Sequence, residues 1–176
     1  MRRIKVISEP TDLVPLLRAL DTDTKREVFK DIASQWCPTS YIQRKYGDEG
    51  EEALRLFEKT KLVETRFENV GGTPEKVFHS YYSSFNINCS TAVVDVGEIL
   101  AVASMPEPEF RVLEGVILDM VGGEGASARA VTEKLNIPLI RLRSLLKRST
   151  RLDLRGHVVV RTDEPTSRAA TAAAPR

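Results

Sequence analysis

The sequence predicts a mainly α-helical chain with small β-hairpins, an α+β fold in which one architecture occurs twice. Apolar residues recur at helical spacing in three segments between positions 21 and 62, and in three more between positions 107 and 151. Alternating apolar segments follow each group, around Gly71–Gly72 and around Arg155–Gly156, and predict a hairpin in both places. Three helices followed by a hairpin is the order of a winged helix-turn-helix domain, so we expect two such domains in tandem.

Residues 1–89 are predicted to form the first domain. Asp21 or Thr22 is placed to cap a helix whose apolar residues recur at helical spacing. Pro38 suits the first position of the next helix, and Gly47 suits its end. A third helix follows at once, and its expected buried stripe consists of Ala53, Leu54, Phe57 and Leu62.

Residues 90–105 are predicted to form a connecting helix that is apolar nearly all round. Its valines, together with Ile99 and Leu100, cannot all face one small core. A helix of this kind is usually buried between domains or between subunits, so we expect it to contribute to dimerisation. Pro106 and Pro108 then mark a junction.

Residues 106–161 are predicted to form the second domain. Ser127 is a candidate N-cap, Asn136 a candidate helix end and Pro138 a candidate first helical residue. The remaining residues, 162–176, are small, polar and proline-containing, and this composition predicts a disordered tail.

Composition excludes several classes of protein. The 176 residues include 26 Lys and Arg and 25 Asp and Glu, a net charge of +1, so any nucleic-acid surface must be local. The two cysteines and two histidines are scattered, so we expect neither a disulfide framework nor a metal site. Signatures of cofactor sites and catalytic sets are missing, so we expect no cofactor and no enzyme activity. Apolar segments are too short to span a membrane, and we expect a cytoplasmic protein.

Charge is distributed unequally between the two predicted third helices and their hairpins. Residues 47–68 contain seven acidic and four basic residues, a net charge of −3. Residues 138–161 contain seven basic residues and one acidic residue, a net charge of +6. In the second segment the leucines at 139, 142, 145 and 146 are expected to face the core. The outward face is then expected to carry, at spacings i, i+3, i+7 and i+10, Arg141, Ser144, Arg148 and Arg151.

Basic residues in this arrangement are suited to DNA, because arginine pairs with guanine or phosphate and each neutralised phosphate releases counterions. The second domain is therefore the predicted principal reader, through Arg141, Arg143, Ser144, Lys147, Arg148, Arg151 and the wing residue Arg155. Any contacts from the first domain are expected from Arg44, Lys45, Arg55, Lys59 and the wing residue Lys76. The alternative for either set is a basic surface that is only solvated.

The acidic helix of the first domain is not expected to be the main reader of DNA. Its Asp48, Glu49, Glu51 and Glu52 would repel phosphate. Asp48 and Glu49 are more simply explained by the dipole of the helix, which favours negative charge at its N-terminus.

The order of these segments resembles the archaeal ArsR-like winged-helix regulators. The segments that carry the resemblance, over about residues 1–90, are LRALDTDTKREVFKDIA, LRLFEKTKLVETR, a glycine-containing wing and EKVFHSYYS. The opening RIKVISEPTDLVPLLRAL is similar to members of that group that regulate archaellin genes. The resemblance implies a homodimeric transcription regulator of double-stranded DNA, joined through the helices Leu13–Leu20 and Val93–Val102. Such a dimer would set two reading helices about one DNA turn (~34 Å) apart.

The chain departs from that group in two respects, and two other interpretations stay open. The helix after Gly47 is short and acidic, and the thiol-rich metal motif of the metal-sensing members is missing. A winged-helix scaffold that docks to another transcription component without reading sequence would have the same architecture. A small-molecule pocket lined by Trp36, Tyr41 and Tyr46 is the other interpretation, although core packing is the expectation for these rings. His79 is expected at the surface of a wing strand.

Overall fold

The computed structural model describes residues 3–162, and the chain divides between Ser104 and Met105 into two compact units. The first contains β1 (Ile4–Ile7), a 3-10 helix (Pro10–Asp12), α1 (Leu13–Ala19), α2 (Asp23–Ser34), β2 (Cys37–Pro38), α3 (Thr39–Lys59), β3 (Val63–Val70), β4 (Thr73–Ser80), β5 (Ser84–Ile87) and α4 (Val93–Ser104). The second contains α5 (Glu107–Val121), β6 (Ala126–Ser127), α6 (Ala128–Leu135), α7 (Leu139–Arg148), β7 (Leu152–Arg155) and β8 (Val158–Arg161).

Both units contain the same winged-helix core. The order is α2, two halves of α3 and the hairpin β3–β4 in the first unit, and α5, α6, α7 and the hairpin β7–β8 in the second. A two-residue strand completes each antiparallel sheet, so the strand orders are β2-β4-β3 and β6-β8-β7. The matching orders confirm the mainly helical fold and the tandem of winged helix-turn-helix domains. The third strands were not predicted, because two residues hold no alternating pattern.

The ends of the helices follow local chemistry. The hydroxyl of Thr22 accepts a hydrogen bond from the amide of Lys25, and the hydroxyl of Ser127 accepts one from the amide of Ala130. Asn136 ends α6 in a left-handed conformation, with φ 51°. Pro38 and Pro138 have extended backbones and are the N-caps of α3 and α7, so each helix begins one residue after the proline that was predicted as its first residue.

Gly47 divides α3 into two helices, residues 39–46 and 48–59, that correspond to the second and third helices of the winged-helix core. Its φ of 64° and ψ of −152° lie in a region that only glycine adopts at low cost, so the predicted stop is confirmed. Gly50 lies where the two halves approach. A Cβ at that position would be 2.7 Å from Cβ of Tyr46 and 2.9 Å from Cγ2 of Ile42.

Both hairpins turn at glycine. Strands β3 and β4 pair over eight residues each, and the two residues between them, Gly71 and Gly72, have φ values of 61° and 93°. Two positive φ values in a two-residue loop match the twist of a hairpin. In the second unit Gly156, with φ 64°, lies in the turn between β7 and β8. The predicted positions of both wings are confirmed.

The first unit also contains a parallel pair of strands that was not predicted. Strand β1 pairs with β5 in parallel, with Ile4 opposite Ser84 and Ile7 opposite Ile87. Before β5, the amide and hydroxyl of Ser83 donate to the carbonyl of Arg3 at 2.8 and 3.0 Å. A short strand whose partner is about eighty residues away leaves no local signal in the sequence.

Helix α4 belongs to the first unit, where it packs against α1. Ile99, Val102 and Ala103 are buried. The opposite side of α4 is apolar and open to solvent in the single chain: Val93 is 89% exposed, Val94 79% and Leu100 49%. The expectation that one core cannot bury all of these side chains is confirmed.

Thr162 is the last residue that the structure describes. Thr162 is hydrogen-bonded to the carbonyls of Arg151 and Thr150, so the predicted tail does not begin with it. The rest of that predicted tail, residues 163–176, lies outside the described residues. Within residues 3–162, no helix combines the length and the apolar character needed to cross a membrane.

Candidate nucleic-acid interface

Helix α7 presents one row of exposed side chains. Leu139, Arg143 and Lys147 are exposed, and because they lie four residues apart they share one face of the helix. The opposite face is buried through Leu142, Leu145 and Leu146, as predicted. Leu139 was predicted in the core but is 45% exposed, so the exposed face is rotated from the predicted one.

Two residues of the predicted outward face are buried. Ser144 is fully buried, and its hydroxyl donates to the carbonyl oxygen of Ile140 at 2.8 Å. That bond within the helix satisfies the hydroxyl, so its burial is tolerated. Arg148 is also buried, because its side chain is directed to partners at the beginning of α5. The predicted outward placement of Ser144 and Arg148 is therefore wrong, and neither belongs to the exposed interface.

Arg148 connects α7 to the beginning of α5. Its guanidinium donates to the carbonyl oxygen of Met105 at 2.7 Å and to the carboxylate of Glu107 at 2.9 Å. The same group lies 4.4 Å from the centre of the Phe110 ring. A buried guanidinium requires partners of this kind, because an unpaired charge away from water is costly. Arg148 therefore stabilises the second unit.

Arg151 takes part in a second ionic cluster, around Glu114. The carboxylate of Glu114 is buried and accepts hydrogen bonds from Arg111 at 2.8 Å and from the hydroxyl of Ser149 at 2.5 Å. Arg151 lies 3.9 Å from the same carboxylate, although its own side chain is 60% exposed. Arg151, which the sequence predicts to contact DNA, is therefore directed towards a carboxylate of α5.

One of the cations left at the surface, Arg143, lines a groove. Lys147 and Arg155 are exposed with Arg143, and Arg141 is half-buried. The groove, of about 330 Å³, lies between α6, α7 and the turn of the hairpin, and its floor is mainly apolar. Its lining includes Arg129, Arg143, His157, Leu139 and Leu154.

Arg129 and His157 were not identified from the sequence. Arg129 forms an ion pair with Glu133 on the exposed side of α6, with its Nε 2.7 Å from the carboxylate. Arg129 lies on α6, the helix that precedes α7, and His157 lies on the wing. These two elements flank the reading helix in this fold. Their positions in the predicted winged helix could therefore have identified them as candidate DNA contacts.

The acidic helix of the first unit is held by local bonds. Glu49 accepts from the hydroxyl of Thr24 at 2.8 Å, and Asp48 accepts from Gln43 at 3.2 Å. Glu51 forms an ion pair with Arg55 at 3.2 Å. The carboxylates remain exposed or half-buried on the face where a reading helix would meet phosphate.

Of the five basic candidates in the first unit, three are already engaged by carboxylates. Arg55 has the partner described above, and the ammonium of Lys76 lies 2.5 Å from the carboxylate of Glu58. Lys45 lies 2.8 Å from Asp31. Arg44 and Lys59 are exposed. The first unit therefore offers phosphate a weaker surface than the second.

Lys45 belongs to a cluster around Asp31. The Asp31 carboxylate accepts from Lys45 and from the hydroxyl of Tyr46, both at 2.8 Å, and from the hydroxyl of Tyr41 at 3.4 Å. Burial acts to raise the pKa of Asp31, but these donors outweigh burial and lower it below its usual value. Tyr41 and Tyr46 are five residues apart in sequence, and both hydroxyls reach this one carboxylate.

Among residues 3–162, no group of three or more histidine, cysteine or carboxylate side chains is close enough to hold an ion. Cys37 is buried, and burial raises the pKa of its thiol, which disfavours the thiolate that binds metals.

Comparison with known proteins identifies the class to which this architecture corresponds. The family model described as ArsR transcriptional regulator matches residues 7–163, which is most of the chain and includes both winged-helix units. A search of curated proteins finds no match. The family match confirms the prediction of a regulator rather than an enzyme.

Proposed function

Because this chain belongs to the ArsR family of transcriptional regulators, we propose that it binds double-stranded DNA chiefly through its second winged-helix unit. The observation that carries the proposal is the exposed pair of Arg143 and Lys147 on α7, beside Arg155 on the wing. Residues 138–161 contain a single acid, Asp153, so the net charge of this segment is +6. The corresponding helix of the first unit exposes carboxylates instead.

We infer that α7 enters the major groove. Arg143 and Lys147 point to the same side of the helix, where arginine can pair with guanine and either residue can meet phosphate. The hairpin β7–β8 would contact the backbone through Arg155. Ser144 and Arg148 act behind this surface by holding α7 in place.

We also infer a homodimer that forms through the first unit. Val93, Val94 and Leu100 of α4 are exposed on a helix that packs against α1, and Leu17 of α1 is 37% exposed. Exposed apolar side chains that form a patch mark interaction sites, and those of α4 and α1 lie on two helices that pack together. A dimer covering α1 and α4 would remove these side chains from water.

We infer a cytoplasmic regulator of the archaeal ArsR-like type, within the group that regulates archaellin genes, on the basis of the opening segment RIKVISEPTDLVPLLRAL. Chromatin from an archaeal host, precipitated with this protein and sequenced, would give the target genes. Enrichment of archaellin promoters is expected, and enrichment of unrelated promoters only would reject that group.

Direct DNA binding is tested by retention of the full chain on immobilised random duplex and on heparin at low salt. We expect retention on both supports and elution as salt rises, because binding that neutralises phosphates weakens with salt. Flow-through on both would reject DNA binding and favour the protein-interaction scaffold.

A further inference from the structure

The first unit contains a second groove, distant in sequence from α7, whose lining is polar. It encloses about 330 Å³ between the start of β1, strands β3 and β4, and the segment that leads to β5. This volume is at the lower end of the range for small-molecule sites. The chemical groups that it offers a ligand belong to Arg3, Glu64, His79, Tyr81, Tyr82 and Ser83.

Opposite charges lie side by side in this groove. The guanidinium of Arg3 is 2.6 Å from one carboxylate oxygen of Glu64, and the second oxygen is 3.8 Å from Nδ1 of His79. Both side chains of the Arg3–Glu64 pair are partly exposed, at 43% and 33%, and ion pairs of this kind are weak. A ligand can therefore bind each member without a large loss.

The imidazole of His79 is held in one orientation. Its Nδ1 lies 2.8 Å from the carbonyl oxygen of Ser80, which can only accept, so Nδ1 carries a proton and Nε2 is left for other partners. The ring stacks on Trp36 with centroids 5.2 Å apart, and the guanidinium of Arg66 lies 3.9 Å from the centre of the Trp36 ring.

The opposite wall is aromatic and is tied to β1. The guanidinium of Arg3 lies 4.4 Å from the centre of the Tyr81 ring, and the ammonium of Lys5 lies 5.2 Å from that of Tyr82. Such rings attract cationic groups through their faces. The two hydrogen bonds from Ser83 to the carbonyl of Arg3 hold this wall against the opening of β1.

We propose that this groove binds a small zwitterion with a carboxylate and an ammonium group, the class to which free amino acids belong. Arg3, held against the ring of Tyr81, would receive the ligand carboxylate, and Glu64 would receive the ammonium. A ligand with one charge would be repelled by one member of the Arg3–Glu64 pair, whereas a zwitterion complements both. The site does not depend on DNA binding by the second unit.

Binding at this groove would affect the rest of the first unit. The lining residues come from the residue just before β1, from α2 through Ala33, from the wing strands β3 and β4, and from the segment before β5. Strand β1 leads to α1, and β5 leads to α4. A bound ligand would therefore connect the wing to the strands that precede α1 and α4, the two packed helices with exposed apolar side chains. An amino-acid effector of the regulator is the functional consequence.

The test uses the fluorescence of Trp36, the single tryptophan of the chain, during titration with each free amino acid and confirmation by calorimetry. We expect at least one amino acid to give a saturable change with a Kd of about 1 mM or tighter. Its methyl ester and its N-acetyl derivative are each expected to bind about tenfold more weakly, because each lacks one charge.

Glu64→Gln and Arg3→Gln are each expected to weaken binding by about tenfold, whereas Glu51→Gln, at another carboxylate paired with an arginine, leaves it unchanged. Failure of every amino acid to bind at about 10 mM would overturn the proposal. So would equal binding by both blocked derivatives, or wild-type affinity in Glu64→Gln and Arg3→Gln.

Discussion

Arg148 brings a positive charge into the interior of the second unit, where Met105, Glu107 and Phe110 surround it. Arg143, five residues earlier on the same helix, points to solvent. Helical spacing predicted the buried leucines of α7 because apolar side chains have few other places to go. It failed for Arg148 because the partner carboxylate is 41 residues away in sequence.

Replacement of Arg148 therefore acts on stability. We expect Arg148→Ala to reduce the free energy of unfolding of the second unit by about 2–4 kcal/mol, because the bond to Met105, the ion pair and the packing on Phe110 are all lost. Arg143→Ala is the matched control, with an expected change within about 0.5 kcal/mol. Urea unfolding followed by circular dichroism measures both, and equal losses would contradict the assignment.

Asp31 gives the first unit a dependence on pH. Its pKa is lowered in the folded state, so it contributes stability above the pKa of the unfolded chain, near 3.8, and loses it as pH falls through the lower folded value. We expect Asp31→Asn to cost about 1–3 kcal/mol near neutral pH, and this difference from wild type to shrink below about pH 4. Thermal unfolding across pH checks this, with the exposed Asp153→Asn as control. A difference that stays constant to about pH 3 would refute the role of Asp31.

At the scale of the elements, sequence predicted those whose signals are local. The caps Thr22 and Ser127, the stop at Gly47 and both wing turns follow from side-chain chemistry and backbone φ within a few residues. The strands β1, β2, β5 and β6 could not be predicted, because their pairing depends on partners brought close only by the fold.

Gly47 tests the division of α3, and a glycine inside another helix is the control. We expect Gly47→Ala to reduce stability by about 1–3 kcal/mol, because its φ of 64° with ψ of −152° is strained for any residue with a Cβ. Gly115→Ala, inside α5 where a Cβ meets nothing within 4 Å, should stabilise by about 0.5–1 kcal/mol. Thermal unfolding compares the two, and a neutral Gly47→Ala would contradict a turn with positive φ at Gly47.

The open side of α4 predicts self-association. We expect the wild-type chain to be a dimer at micromolar concentration and Val94→Glu with Leu100→Glu to be a monomer, because the charges would be buried unpaired in the interface. Val112→Glu places a charge on an equally exposed apolar residue of α5 and should leave the dimer intact. Analytical ultracentrifugation distinguishes these outcomes, and a monomeric wild type would rule out this interface.

At the scale of the whole molecule, a net charge of +1 conceals two units of opposite character. The sequence predicted which unit is basic, since that requires only counting. It could not show which cations remain at the surface, because Arg148 and Arg151 are drawn to carboxylates of α5. Arg143, Lys147 and Arg155 remain exposed, and the interface that we propose is centred on them.

The most direct measurement is the salt dependence of binding of the full chain to one duplex, followed by fluorescence anisotropy. If Arg143 and Lys147 each neutralise one phosphate, their joint replacement by alanine should lower the slope of log K against log salt by about 1.8. Joint replacement of Arg55 and Lys59 on the acidic helix should leave the slope near that of wild type. An unchanged slope for the first pair and a reduced slope for the second would contradict DNA recognition by α7.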